Sequence, residues 1–185
     1  MSRSPLALDA FPTLAAIPGA TLHIARARYK DWDRCDLTFV ALDEGAAVAG
    51  LLTKSACPSP EVEWCRAALT GGKARALVVN AGNANAFTGA RGRAAVEAIA
   101  KRAAAHLGSA PGEVFVASTG VIGVSLPMRE VNAGILAAAH ALSADGDGAF
   151  SAAIQTTDAF EKRARVSVAL AGGVVTLTAQ AKGAG

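Results

Sequence analysis

Apolar positions along this chain recur with two different periods. Short runs rich in β-branched and aromatic residues read as strands. Longer stretches, in which apolar residues return every three to four positions, read as helices. Thr21 to Arg28 and Asp36 to Leu42 (DLTFVAL) predict strands. Glu44-Gly45 breaks the second of these, and Ala47 to Thr53 is expected to return as its antiparallel hairpin partner. Glu61 to Leu69 predicts a short helix ended by Gly71-Gly72. Ala74 to Val79 is an apolar run after one arginine, the pattern of a buried strand. The clearest helix spans Gly92 to Leu107: Val96, Ile99, Ala103 and Leu107 share a face, and Gly108 is a C-terminal stop. Val114-Phe115-Val116 is a further buried strand. Pro127 opens a helix in which Val131, Ile135, Ala138 and Leu142 align, and Ala149 to Gln155 predicts a third. Arg163 to Leu170 and Val174 to Ala179 flank Gly172-Gly173 as a hairpin.

This interleaving predicts an α/β fold, a mixed sheet with flanking helices, over a single domain spanning residues 1–185. Residues 1–18 are expected to be a loosely held lead-in, because Pro5, Pro12 and Pro18 discourage regular structure. Asp9 interrupts the lead-in, so it does not read as a signal peptide. No apolar run reaches the roughly 18 residues of a membrane span.

Composition narrows the class. The chain is 52% apolar and 18% charged, enough for a sizeable core. A net charge of +3 with scattered basic residues leaves no nucleic-acid footprint. Cys35, Cys57 and Cys65 form no C-x-x-C pair, which fits reduced thiols in the cytoplasm better than a disulfide framework or structural zinc. His23, His106 and His140 lack metal-ligand spacing and read as surface or cap residues, so no metal site is expected.

Three stretches can carry chemistry. Ser118-Thr119-Gly120 follows a buried strand, with Gly123 nearby. The expectation is a tight turn, either an ordinary strand-to-loop connection or one whose free N–H groups and threonine hydroxyl form an oxyanion hole. Asn80 to Gly92 is expected to be a loop in which Asn80, Asn83 and Asn85 either scaffold turns or bind a polar, amino-acid-like substrate. Thr156-Thr157-Asp158, at a predicted helix end, can supply caps or substrate contacts.

Taken together these stretches resemble the ornithine acetyltransferase family, the glutamate N-acetyltransferases of the cyclic arginine pathway. NAGNANAFTG, ASTGVIG with Pro127-Met128, TTD and AKGAG stand in that family's order and approximate spacing, and the match runs from about Pro18 onward. The resemblance implies a precursor that cuts itself at an Ala–Thr bond, giving an α chain and a β chain. The new N-terminal threonine is then the nucleophile of a ping-pong transfer from N2-acetylornithine to glutamate, and its freed α-amine can serve as base. Some members also accept acetyl-CoA; no other cofactor is implied. This chain is then expected to be the α chain, shortened by a few residues before the scissile bond and inactive alone. Its partners would be the β chain, in an α₂β₂ assembly, and the amino-acid substrates. The β chain would complete an N-terminal-nucleophile-like sandwich. Residue by residue, Thr119 and Gly120 match the oxyanion hole, Thr156 or Thr157 a substrate contact, and Lys182 a substrate-binding lysine. Asn80, Asn83 and Asn85 match the family motif and are assigned support. Two other readings stand beside this one: the α fragment of an N-terminal-threonine aminopeptidase or amidase, and a non-enzymatic binding module.

Overall fold

The computed structural model describes residues 16–144 and 147–183, with residues 4, 5, 7, 9, 10 and 14 of the lead-in. The rest of the expected lead-in, residues 145 and 146 of the acidic loop, and residues 184 and 185 lie outside the described residues.

Four strands build one sheet in the order β1 (Ala20–Ala25), β2 (Leu37–Leu42), β3 (Ala76–Asn83), β4 (Val114–Val121). β1 and β3 run antiparallel to β2, and β4 runs parallel to β3. The parallel pair requires a crossover, which α2 (Gly89–Leu107) supplies. α2 and α3 (Met128–His140) cover one face. There Leu37, Phe39, Val78, Val114 and Val116 meet Val96, Ile99, Val131 and Ile135 in the main core. Strand residues of the opposite parity, Leu42, Leu77 and Phe115, pack with Cys65, Ala68 and Ala74 in a smaller cluster. Alanines line much of the α2 and α3 contact faces, so the core is filled by close approach rather than by large rings. α4 (Asp147–Ala153) leads to a separate hairpin of β5 (Lys162–Leu170) and β6 (Gly173–Ala181). The mixed sheet with flanking helices is as expected. Among the described residues the only other sheet is this hairpin.

The fold corrects three expectations. Ala47 to Thr53 is not the hairpin partner of β2. Both edges of β2 are occupied, by β1 and β3, and the 47–53 segment retains one bridge, Ala47 to Lys73. The Asn80–Gly92 stretch is not all loop: β3 continues to Asn83 and α2 begins at Gly89. The anchor strand does not stop at Ser118. It runs on to Val121, because β3 keeps pairing with it through Asn83.

The helix α1 (Pro60–Ala68) lies along the outer edge of β4. Its Trp64 indole N–H donates to the Val114 carbonyl at 2.9 Å, and its Cys65 thiol to the Val116 carbonyl at 3.3 Å. An edge strand that would otherwise present bare backbone groups is thus partly covered. α1 also crosses α2 closely. A β-carbon built on Gly92 would sit 1.9 Å from Thr88 Oγ1 and 2.9 Å from Pro60 Cγ. Helix propensity alone favours Gly92→Ala by about 1 kcal/mol. The clash is larger, because Thr88 is held by Asn85 and the proline ring is rigid. Gly92→Ala is therefore expected to destabilise the full-length protein by about 1–3 kcal/mol in urea melts, and a gain in stability would contradict the α1–α2 contact.

Candidate active site

The covering of β4 ends at the N-terminus of α1, beside Ser118. Val114 and Val116 turn their carbonyls toward α1, whereas Glu113 and Val121 accept from Arg75 and Ala84 on the β3 side. The alternation of a strand then directs the backbone N–H of Gly120 to the outer edge. Beyond Ser118 that edge is bare among the described residues, and Gly120 and Val121 are exposed. Gly120 has φ 137°, and a β-carbon there would lie 2.3 Å from the Gly82 carbonyl carbon and 2.6 Å from the Asn83 nitrogen. Only glycine permits β3 and β4 to meet this closely at their irregular register.

A cleft of about 450 Å³ opens at these strand ends, lined by Lys30, Trp32, Gly82, Thr119, Gly120, Val121, Thr156 and Thr157. Three elements build its walls. The connection from β1 to β2 brings Lys30 and Trp32 over Gly82. It is secured by Asp36, which is buried and accepts the N–H groups of Ala27 at 2.7 Å and Tyr29 at 2.8 Å. Arg34 on the same connection stacks on Trp32 and donates to the carbonyls of Ala152, in the last turn of α4, and Gln155, just beyond it. That clamp fixes the chain just before Thr156. The end of β6 brings in Lys182, whose Nζ donates to Thr156 Oγ1 at 2.9 Å and lies 3.4 Å from Asp158 Oδ2.

Asp158 organises this corner. Its side chain is only 1% exposed. It accepts the N–H groups of Gly183 at 2.7 Å and Thr156 at 3.2 Å, and the Lys162 ammonium at 3.1 Å. Burial by itself would raise this carboxyl. The two backbone N–H groups and the two lysines reverse that and hold it well below the usual carboxylate range.

The structure therefore brings Thr119, Gly120, Thr156 and Thr157 to one cleft and ties Lys182 to it through Thr156. Of the two threonines, Thr156 is the one bonded to Lys182. Asn80, Asn83 and Asn85 do not line this cleft. All three are buried behind it, with amides on backbone and side-chain partners. Asn80 Nδ2 donates to the Asn83 carbonyl at 2.7 Å, and Asn83 Nδ2 to the Val124 carbonyl at 2.9 Å. Asn83 Oδ1 accepts the Asn85 N–H at 2.7 Å, and Asn85 holds φ 49°. His106 and His140 stack edge to face on each other, exposed and on the helices of the opposite end of the fold from Thr119.

Sequence reasoning missed Lys30, Trp32 and the anchoring role of Asp158. Lys30 and Trp32 carry no motif. Asp158 stood inside TTD, and Lys162 lies four residues on, but its second lysine, Lys182, is distant in the chain. Among the described residues the lining of the cleft offers hydrogen-bond donors and one cation, Lys30, with no histidine or carboxylate in it. Such a lining suits a carboxylate or a developing oxyanion and leaves a hydroxyl nucleophile without a base. Among the described residues no cluster of histidine, cysteine or carboxylate side chains is placed to hold a metal ion, and no helix is long and apolar enough to cross a membrane.

Residues 21–185 match the ArgJ family profile. The chain is 52% identical over 182 residues to the arginine biosynthesis bifunctional protein ArgJ of Zymomonas mobilis, covering 98% of this chain and 44% of that protein. It is 48% identical over 185 residues to that of Bradyrhizobium diazoefficiens, covering 100% and 45%. The chain thus spans less than half the length of these relatives. The crystal structure of ArgJ from Bacillus halodurans superposes with TM-score 0.83 at 31% identity, covering 91% of this chain and 88% of that one. An ornithine acetyltransferase from Mycobacterium tuberculosis, solved with ornithine, gives TM-score 0.82 at 34% identity, covering 91% and 90%. With the family profile covering most of the chain, relatives at about half identity and a fold that superposes on these structures, this chain belongs to the ArgJ family.

Proposed function

We propose that this chain is the α portion of a glutamate N-acetyltransferase of arginine biosynthesis, with its nucleophile on a β portion derived from the same precursor. The observation that carries this reading is the cleft at the end of β4, which gathers donors for an oxyanion or a carboxylate and has no histidine or carboxylate among its described lining residues. Two further observations support it. The chain spans 44% and 45% of whole relatives but 88% and 90% of the solved chains, so the solved chains are near its own length. The β5–β6 hairpin also leaves Val166, Val168, Leu170, Val175 and Leu177 exposed, and a two-stranded sheet with a bare apolar face needs a covering partner.

In this mechanism the N-terminal threonine of the β chain approaches along the uncovered edge of β4. Its α-amine takes the hydroxyl proton as the oxygen attacks the acetyl carbonyl of N2-acetylornithine. The Gly120 N–H and the Thr119 hydroxyl stabilise the resulting tetrahedral oxyanion. Collapse breaks the acetyl C–N bond as the protonated α-amine returns its proton to the departing nitrogen, releasing ornithine and leaving an acetyl-threonine. Glutamate then attacks through its amine, and the same donors serve the second oxyanion. Lys182, positioned by Thr156 and Asp158, pairs with the α-carboxylate of either amino acid as a point charge. Asn80, Asn83 and Asn85 hold the strand ends in register. Acetyl-CoA is a further acetyl donor if the precursor is bifunctional; no other cofactor is assigned. The assembly is an α₂β₂ heterotetramer in the cytoplasm.

The deciding experiment assays the processed complex for acetylornithine-to-glutamate transfer against peptide hydrolysis. Hydrolysis without transfer would move the chain to the aminopeptidase or amidase reading. Failure to copurify with a second fragment starting at threonine would favour a binding module. Thr119→Ala is expected to slow both self-cleavage and transfer by roughly 100-fold, read in single-turnover kinetics, since both pass through oxyanions; normal rates remove the assignment. Lys182→Ala is expected to raise KM for the amino-acid substrates at least about tenfold while kcat changes little, and an unchanged KM excludes the carboxylate contact. For Asp158 the folded-state pKa is depressed below the ordinary 3.8. Its contribution to stability is therefore full above about pH 4 and lost as pH falls further. In melts across that range wild type should exceed Asp158→Asn at neutral pH and converge on it in acid; a gap independent of pH would be wrong for this network.

A further inference from the structure

Behind the cleft, on the side of β4 that meets α1, lies a carboxyl group the acetyl-transfer reading does not use. Glu61 is 4% exposed. Its Oε1 lies 2.7 Å from Ser118 Oγ and 2.8 Å from Asn85 Nδ2. Ser118 Oγ also lies 2.6 Å from Asn80 Oδ1.

Counting hydrogens settles the direction of these bonds. Asn80 Nδ2 donates to the Asn83 carbonyl, so the oxygen of that amide must face Ser118. Asn85 is oriented in the same way, because its oxygen accepts from Thr88 Oγ1 at 2.8 Å and its nitrogen also reaches the Gly92 carbonyl. Ser118 has one hydrogen and two close oxygen neighbours. If Glu61 were ionised, the single Ser118 hydrogen would have to be shared between two oxygens at 2.6 and 2.7 Å, one of them charged, and neither short contact would be fully served. A proton on Glu61 satisfies both: Glu61 donates to Ser118, Ser118 to Asn80, and Asn80 to the Asn83 carbonyl. Oε1 still accepts from Asn85. The remaining oxygen, Oε2, is buried without a hydrogen-bond partner, which a carbonyl tolerates far better than half a carboxylate.

We propose that Glu61 is a positioning residue, held as a neutral carboxylic acid whose O–H orders a hydrogen-bond chain through Ser118 and Asn80 and so sets the strand ends that carry Thr119 and Gly120. The chain joins α1, β4 and β3 directly behind the two residues of the proposed oxyanion hole. The electrostatics agree. Burial raises the Glu61 carboxyl, and hydrogen bonding from Ser118, Asn85, its own backbone N–H and the Ser59 side chain only partly offsets it. The titratable groups facing it are the Cys65 thiol on α1 and the Tyr29 hydroxyl from the β1–β2 connection, both raised chiefly by their own burial. Neither is a cation that would hold Glu61 ionised. Ser118 from β4, and Asn80 and Asn85 from the β3–α2 side, are uncharged.

Only the kinetic consequence rests on the acetyl-transfer reading. The test uses the full-length precursor and its processed complex. An infrared difference spectrum of wild type against Glu61→Gln should show a protonated carboxyl band at neutral pH that fades as pH rises. Ser118→Ala should keep that band and move it to higher frequency, because the O–H loses its acceptor. Relative to Glu61→Gln, the stability of wild type should fall as pH rises from the ordinary 4.5 through the raised folded-state value, since the folded protein binds the extra proton. Glu61→Gln cannot both donate to Ser118 and accept from Asn85 at one atom. Transfer should slow about tenfold with KM unchanged, the alkaline limb of the wild-type rate profile should vanish, and Ser118→Ala should add no further loss. Absence of the protonated band at neutral pH, or independent additive losses, overturns the proposal. If wild type shows no transfer, the functional reading fails alone, and the infrared band with the pH dependence of stability still decides the state of Glu61. If Glu61→Gln does not fold, the band shift in Ser118→Ala decides it.

Discussion

The outer edge of β4 is the constraint on which the site depends. A strand at the edge of a sheet carries a row of backbone groups that need partners. Here α1 covers that row only as far as Ser118, through the Trp64 indole and the Cys65 thiol on backbone carbonyls, and its Glu61 carboxyl meets the Ser118 side chain. The next three residues are left open. What would be an aggregation hazard on a longer edge becomes a short stretch of directed donors at the floor of a cleft. The same edge explains why Gly120 must be glycine: β3 and β4 converge there until no side chain fits.

Opposite this edge, charge does the positioning. Asp158 is buried and doubly paired, with Lys162 from the start of β5 and Lys182 from the end of β6. A buried carboxylate is costly unless its lone pairs are filled, and here two backbone N–H groups fill the rest. One consequence is geometric: the two ends of the hairpin are pinned beside Thr156. Another is electrostatic. Lys182 is balanced by one carboxylate it shares with Lys162, so the corner retains positive character for an anionic substrate. Arg34 completes the arrangement from the other side, tying the end of α4 to the connection that carries Lys30 and Trp32.

The two corners are joined through the interior. Asn80, Asn83 and Asn85 sit where β3 leaves the sheet and turns into α2. Their amides replace the regular ladder at the point where it becomes irregular. Through Ser118 and Glu61 the same network reaches α1. The rigidity of Thr119 and Gly120 is thus inherited from buried side-chain amides rather than from strand pairing alone.

Much of this was legible in the chain itself. Helical spacing of Val96, Ile99 and Ala103 and of Val131, Ile135 and Ala138 identified α2 and α3, because a face buried against a sheet must repeat every turn. Gly108 marked the end of α2 for a local steric reason, its φ of 63°. Those signals are local, and the sequence determined them unaided. It also singled out STG and TTD as stretches able to carry chemistry, while AKG gained that expectation only from the family resemblance. Pairing and direction were different. Ala47 to Thr53 had the composition of a strand, yet lost β2 to β1, a competition that no local pattern records. The apparent turn at Ser118 to Gly120 proved to be strand, since β3 extends alongside it. Which threonine meets Lys182, that Lys182 joins Lys162 on Asp158, and which hydrogen Glu61 gives away all depend on contacts between residues far apart in the chain. Only the tertiary structure decides them, because hydrogen bonds and ion pairs are set by distances in space.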